Sequence, residues 1–311
     1  MTEYPREVTF HVQAGTRIGM GHLSRSRAVM KVLKDMGFNC NLHLDADAQG
    51  AAKARGWGFA PIDTLPALPS ALVIDAVTID RVQANRLRHY APRILISPVF
   101  NHADIASHAL LRNASSALLD NLSGSAMLRI KTDYAFATAH GLSPRALDFA
   151  KLEIGLCLSG GVDSMDPNGV LSLLDGLAQV AGVKVIDSRR LIRVGIPLQH
   201  VLHADRPWDF LRGINLFIGG DGVMIAEAIA QGLPTISLSM PTGNAKNVGL
   251  IESGVLRVIE RNAFMLTALS ALLNDRGALV AMHRAALKLN GAARATRLAQ
   301  DIRAVLEENS Q

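Results

Sequence analysis

Aromatic residues are scarce in this chain: Phe, Trp and Tyr make up 5% of its 311 residues. Its core therefore cannot rest on large rings, and the interleaving of aromatic with basic residues that marks a nucleic-acid groove is missing. Cysteine is scarcer still. Cys40 and Cys157 each lie inside an apolar stretch that reads as a strand, which excludes a disulfide scaffold and suits a reducing compartment. Neither falls in a spaced Cys/His cluster, so no metal is expected. No apolar run approaches the ~18 residues of a spanning helix, and the opening MTEYPREVTF lacks a basic-then-apolar leader pattern. A cytoplasmic protein with no stable membrane insertion is expected.

What is present is a globular composition, 49% apolar and 19% charged, with Ala, Leu, Ile, Val and Gly left to do the packing. That balance suits helices laid on parallel strands. The formal charge of +5 and a pI of about 9.5 favour an anionic partner. The basic residues are scattered, Arg189-Arg190 being the densest pair, so a small phosphorylated ligand fits better than nucleic acid.

Short apolar runs alternate with helix-period segments. EVTFHVQA (7–14) reads as a strand and HLSRSRAVMKVLKDMG (22–37) as a helix closed by Gly37. A strand over 39–46 and a small-residue helix over 47–56 follow. Strands are next expected at 71–76, 93–100 and 108–113, with a helix through IDRVQANRLRHY between the first two. A second series starts near 151, with strand KLEIGLCLSGG, helix PNGVLSLLDGLAQVAG, strands VKVIDS and IPLQHVLHAD, and helix PWDFLRGI. Strand NLFIGG, helix GVMIAEAIAQG and strand PTISLS complete the run, and 263–275 and 279–307 read as closing helices. The β-α-β-α rhythm implies parallel sheets with right-handed crossovers. The expected fold is α/β, with two Rossmann-like domains facing across a cleft. These would span residues 1–144 and 150–311, with the boundary inside 137–151 and the closing helices in the second domain.

Three glycine-rich stretches fall at strand ends, where such sheets bind ligands. In GMGHLSR, Gly19 and Gly21 precede His22 and Arg25 at a helix start; the third glycine of a dinucleotide fingerprint is missing. His22 could move a proton and Arg25 could neutralise a phosphate, or both could simply be solvated at a helix end. In LSGGVDSMDPNG, Gly160 and Gly161 suit a phosphate approached by backbone N–H groups, with Asp166 or Asn168 capping the next helix beside Pro167. In IGGDGVMIAEAIAQGLP, Gly219, Gly220, Asp221 and Gly222 join a strand end to a helix start. Glu227 on that helix could reach a ligand's hydroxyls or serve the helix dipole alone.

Together these residues resemble the UDP-sugar hydrolases of bacterial pseudaminic (nonulosonic) acid biosynthesis and their spore-coat polysaccharide relatives, and more broadly the GT-B glycosyltransferases. IGMGHLSR matches the hydrolases' Ile-Gly-x-Gly-His-x-x-Arg, and LVIDAVTID matches their Val-Ile-Asp strand end. LSGGVDSMDPNGV is similar to their Gly-Gly-x-Asp-Pro-x-Asn, loosened by an insertion, and GVMIAEAIAQGLPTISL is similar to the superfamily's Gly…Glu…Gly-x-Pro stretch. The resemblance covers the chain to about residue 256. It implies a UDP-sugar substrate without cofactor or metal, His22 as the water-activating base and Glu227 on the uridine ribose. Gly19, Gly21, Arg25, Gly160, Gly161, Gly219, Gly220, Asp221 and Gly222 would hold the diphosphate and nucleotide. Asp75, Phe100, Asn101, Asn244 and Asn247 would face the sugar or acceptor.

The sequence departs from that pattern in three places. His11-Val12-Gln13 stands for Arg-x-Asp, Ser97-Pro98 for a paired Asp-Asp, and Asn244 with Asn247 for Asn-Gln. Those changes remove carboxylates that would contact sugar hydroxyls or orient water. Three functions are therefore expected in order: hydrolysis of a UDP-linked deoxy-diacetamido or related amino sugar, transfer of the sugar to an acceptor, and silent nucleotide-sugar binding. Asp45 and Asp47 read as capping residues away from the glycine loops, and His102 as a loop residue.

Overall fold

The computed structural model describes residues 7–66, 71–158, 165–202, 207–240 and 247–309. They form two compact units, one of residues 1–140 with 294–311 and the other of residues 141–293.

The first unit runs β1 (Glu7–Ala14), α1 (Gly21–Asp35), β2 (Asn39–Ala46), α2 (Ala48–Gly56), β3 (Ala71–Asp75), α3 (Arg81–Leu87), β4 (Arg93–Leu95), β5 (His108–Leu111), α4 (Ser116–Asn121) and β6 (Met127–Ile130). Its sheet is parallel throughout, in the order β2-β1-β3-β4-β5-β6. On one face Val8, Phe10 and Val12 pack under Leu23, Val29, Met30 and Leu33 of α1. Thr9, His11 and Gln13 on the other face are also buried, as expected of a central parallel strand covered on both sides. Gly37, at φ +91°, ends α1 in the left-handed conformation that lets the Phe38 N–H reach back to Leu33.

The second unit runs β7 (Leu152–Cys157), α5 (Asn168–Asp175), β8 (Val180–Ile186), β9 (Leu198–Val201), α6 (Pro207–Leu211), β10 (Leu216–Gly219), α7 (Met224–Ala230), β11 (Thr235–Ser239), α8 (Val248–Glu252), β12 (Leu256–Glu260), α9 (Met265–Asn274) and α10 (Arg276–Leu289), and the short α11 (Gly291–Arg294) carries the chain from it into the first unit's last segment. Its parallel sheet is ordered β12-β11-β10-β7-β8-β9, the doubly wound Rossmann order. In each sheet one gap separates strands whose connections run in opposite directions: β1/β3 in the first unit and β7/β10 in the second. Beyond the carboxyl ends of such strands lies the usual ligand crevice of open α/β sheets.

Several expectations change. The helix expected through PNGVLSLLDGLAQVAG stops at Asp175 with Gly176 as its cap, because Val180, Val183 and Val185 are drawn into β8 and the core. RILISPVF gives a strand of only three residues before the turn at Pro98. The closing helix 279–307 is broken at Asn290, which adopts φ +48°, and its last part, α12 (Arg297–Glu308), belongs to the first unit instead of the second. The physical reason is apolar burial. Leu298, Ile302, Val305 and Leu306 complete the core beneath α1, while Asp301 accepts from Tyr134 Oη at 2.7 Å and Lys131 Nζ at 2.7 Å.

Candidate active site

Asp75 ends β3 beside β1, at the first unit's crossover gap, and is completely buried. A lone carboxylate there would be expensive, so partners are required. All of them come from the first turns of α1, on one face of the helix at spacing i, i+3, i+4. His22 Nδ1 lies 2.6 Å from Asp75 Oδ1, Arg25 Nε donates to Oδ2 at 3.0 Å, and Ser26 Oγ donates to Oδ2 at 3.0 Å. The Arg25 Nη2 donates to Oδ1 as well and sits 3.2 Å from His22 Nδ1. Burial pushes the Asp75 carboxyl up, but Arg25 and then His22 outweigh it and hold it lowered to about 2.

An ionised Asp75 settles which His22 nitrogen carries the proton. The carboxylate can only accept, so Nδ1 must be the donor of the 2.6 Å bond and the adjacent guanidinium N–H cannot be bonded to it. In the neutral ring, Nε2 then holds a lone pair. The His22 side chain retains 13% of its surface exposed, enough to meet a substrate proton.

The loop before α1 is built for this placement. Gly15 and Gly19 pair across a tight turn, with Gly19 N donating to Gly15 O at 2.7 Å and Gly19 at φ +87°. Asp47 accepts from Thr16 N and Thr16 Oγ1, both at 2.7 Å, and from Gly50 N at 2.9 Å as the cap of α2. It therefore caps as expected but touches the glycine loop as well, contrary to the expectation that it lies away. A Cβ on Gly15 would meet that carboxyl at 2.7 Å. Gln13 uses both ends of its amide: Oε1 accepts from Val77 N at 2.8 Å and Thr78 N at 3.1 Å, and Nε2 donates to Asp45 Oδ2 at 2.7 Å and to Thr78 O.

Other expected residues are employed differently. Arg25, expected at a phosphate, turns its Nε and Nη2 to the buried Asp75 carboxylate and is 7% exposed. Asp75, expected to face sugar, faces His22, Arg25 and Ser26. Phe100 is a core side chain packed among Leu72, Ile74 and Leu95. Asn101 clamps the backbone of Ile79, accepting from its N–H and donating to its carbonyl at 3.0 Å each, which fixes the loop after β3 instead of offering an amide to sugar. Ser97 is fully buried. His102 lies in a loop before a short 3-10 turn, as its sequence context suggests.

At the second unit's crossover gap, Gly219 ends β10 against β7, where a Cβ would strike the Phe217 ring at 2.7 Å. Gly220 N donates to Cys157 O at 3.1 Å, Asp221 accepts from Ser237 Oγ at 2.8 Å, and Gly222 opens onto free space. Glu227 lies in the first turn of α7 and is 3% exposed. Asn247 immediately precedes α8 and is buried. Gly160, Gly161 and Asn244 lie outside the described residues. Among the described residues no cluster of three His, Cys, Asp or Glu side chains could hold a metal, and no helix is long and apolar enough to cross a membrane.

The Ser26 bond to Asp75 and the Gln13 hub were not anticipated from sequence. The i, i+3, i+4 spacing of His22, Arg25 and Ser26 was the available signal for the first; nothing local marks the second.

No family model and no curated protein matches the chain. Solved structures match its fold along almost the whole length. MnaA of Staphylococcus aureus, solved with UDP, superposes at TM-score 0.65 with 15% identity over 97% of each chain. The UDP-GlcNAc 2-epimerase of Neisseria meningitidis, bound to UDP-GlcNAc, gives 0.64 and 10% over 97% of this chain and 100% of that one. The glycotransferase of kitacinnamycin gives 0.62 and 14% over 97% and 99%. At such identities the likeness establishes the fold. The chain is an α/β protein of the GT-B type, the fold of these glycosyltransferases and UDP-sugar epimerases.

Proposed function

We propose that this chain is a nucleotide-sugar enzyme of the glycosyltransferase kind, with a UDP-sugar donor and His22 as general base. The observation that carries the reading is the His22–Asp75 pair, whose proton arrangement leaves Nε2 as the acceptor. In the second unit, the glycine-rich turn at 219–222 is assigned to the diphosphate and Glu227 to the ribose hydroxyls. Nε2 takes the proton of an acceptor hydroxyl as its oxygen bonds to the anomeric carbon. The bond from that carbon to the diphosphate oxygen breaks, and UDP leaves with the electron pair. Asp75 accepts the Nδ1–H bond throughout and steadies the imidazolium that forms.

Hydrolysis is the second reading, supported by the hydrolase-like run from Ile18 to Arg25; water would take the acceptor's place at the same base. Incubation with UDP-GlcNAc and UDP-linked 2,4-diacetamido-2,4,6-trideoxyhexoses, with and without a pool of hydroxyl acceptors, separates the cases by product. UDP release that depends on acceptor, with a new glycoside, supports transfer. Acceptor-independent UDP release makes the chain a hydrolase. UDP-GlcNAc recovered as its 2-epimer points to the reaction named for the epimerase neighbours, and thermal stabilisation by UDP without any turnover leaves a binding protein; both overturn the proposal.

A further inference from the structure

The guanidinium of Arg25 stands in an unusual place for a residue at a helix start next to a glycine loop: it faces inward. A base that depends on a buried carboxylate has an inherent difficulty. The carboxylate orients the imidazole, but it also favours the doubly protonated ring, which cannot accept a proton. The same contact that aims the ring thus works against its role as an acceptor. Arg25 lies where it offsets this. Its Nε and Nη2 grip both carboxylate oxygens, Oδ1 is shared with His22, and Nη2 stands 3.2 Å from Nδ1.

We propose that Arg25 is a positioning residue that acts through Asp75, keeping His22 neutral and correctly oriented, and that it is not a ligand of the substrate's phosphates. The inference rests on His22 being the base of the proposed reaction. With the ring neutral, the trio carries no net charge; a second proton on His22 would place a cation beside a guanidinium that cannot give up its own. Among the described residues, the ionisable groups that act on Asp75 are Arg25 and His22. The pairing neighbour of Asp75 on β1 is Val12, beside Gln13; Ile94 and Leu95 of β4 are apolar; and Ser26 brings only a hydroxyl. Among the described residues Arg25 is the cationic counterweight to Asp75, and Ser26 Oγ donates to Oδ2 beside it.

The test is an NMR titration of the His22 ring in the whole protein, joined to kinetics over pH. Replacing Arg25 with Gln (Arg25→Gln) is expected to raise the His22 midpoint by about one pH unit or more and to carry the acid limb of kcat/KM with it. Alkaline buffer should then recover much of the lost rate, with KM for the UDP-sugar changed by less than about threefold. Arg25→Lys, which keeps the charge but not the fork, is expected to leave the midpoint near the wild type and UDP affinity unchanged while lowering kcat; should the glutamine variant not fold, the lysine variant decides on affinity, a loss of roughly tenfold overturning the proposal. The double variant Arg25→Gln with Asp75→Asn removes both charges and should bring the midpoint back. A phosphate-binding Arg25 predicts the opposite pattern: an unmoved midpoint, and affinity for UDP reduced roughly tenfold or more. That result overturns the proposal. The titration needs no turnover, so failure of the proposed reaction shows in the kinetics alone.

Discussion

In the proposed reaction His22 and Asp75 divide the work of a base between a ring whose side chain is 13% exposed and a carboxylate that is fully buried. Asp75→Asn keeps the shape but leaves the buried Arg25 guanidinium uncompensated, so a stability loss of about 3–5 kcal/mol in urea melts is expected. Full stability on replacing it would show that the carboxylate contributes no pairing. A second buried ionisable group shapes the acid side. Burial, with help from His43 and against Asp45, lowers His11 to about 4 from an ordinary 6.5. The folded chain thus resists a proton that the unfolded chain takes up. Stability from this group is complete above pH ~6.5 and declines as pH falls toward 4, by an amount on the order of 3 kcal/mol. His11→Gln should flatten the dependence of melting free energy between those limits; an unchanged slope would remove His11 as its cause.

At the scale of elements, the glycine turn before α1 sets where His22 stands. Gly19 holds a positive φ, and Gly15 meets the Asp47 carboxyl. Gly15→Ala should therefore lower kcat by displacing α1's first turn, with KM for the nucleotide-sugar little changed; equal loss in both would assign the turn to binding. Gly219→Ala should do the reverse, abolishing the thermal stabilisation by UDP because its Cβ has no room beside Phe217. Much of this was legible. The strand of residues 7–14 and the stop at Gly37 follow from alternation and a left-handed cap, which are local signals. The inward turn of Arg25 was not legible, because it answers a buried charge fifty residues away in sequence. Phe100 and Asn101 also answer distant partners, an apolar core and the Ile79 backbone, that nothing in their own loop reveals. The departure at Gln13 read as a lost carboxylate, whereas its amide ties together the ends of β1 and β2 and the loop after β3.

On the scale of the molecule, the chain returns to its first unit at the end. Leu298, Ile302, Val305 and Leu306 of α12 each contribute about 1.5–3 kcal/mol by burial, together comparable with a domain's net stability of about 5–15 kcal/mol. Hydropathy showed an amphipathic helix there but not which sheet it covers, since apolar stripes do not name their partner. Removing residues 294–311 should expose the first unit to proteolysis while the second stays protected, and equal protection of both would contradict the packing. That His22 is the base of a UDP-sugar enzyme is decided by comparing wild type with His22→Gln on the sugar nucleotide that turns over, while UDP affinity is followed by calorimetry. Unchanged affinity and a rate lower by roughly 10²–10⁴ are expected of the variant. Equal rates in the two proteins would contradict His22 as the base.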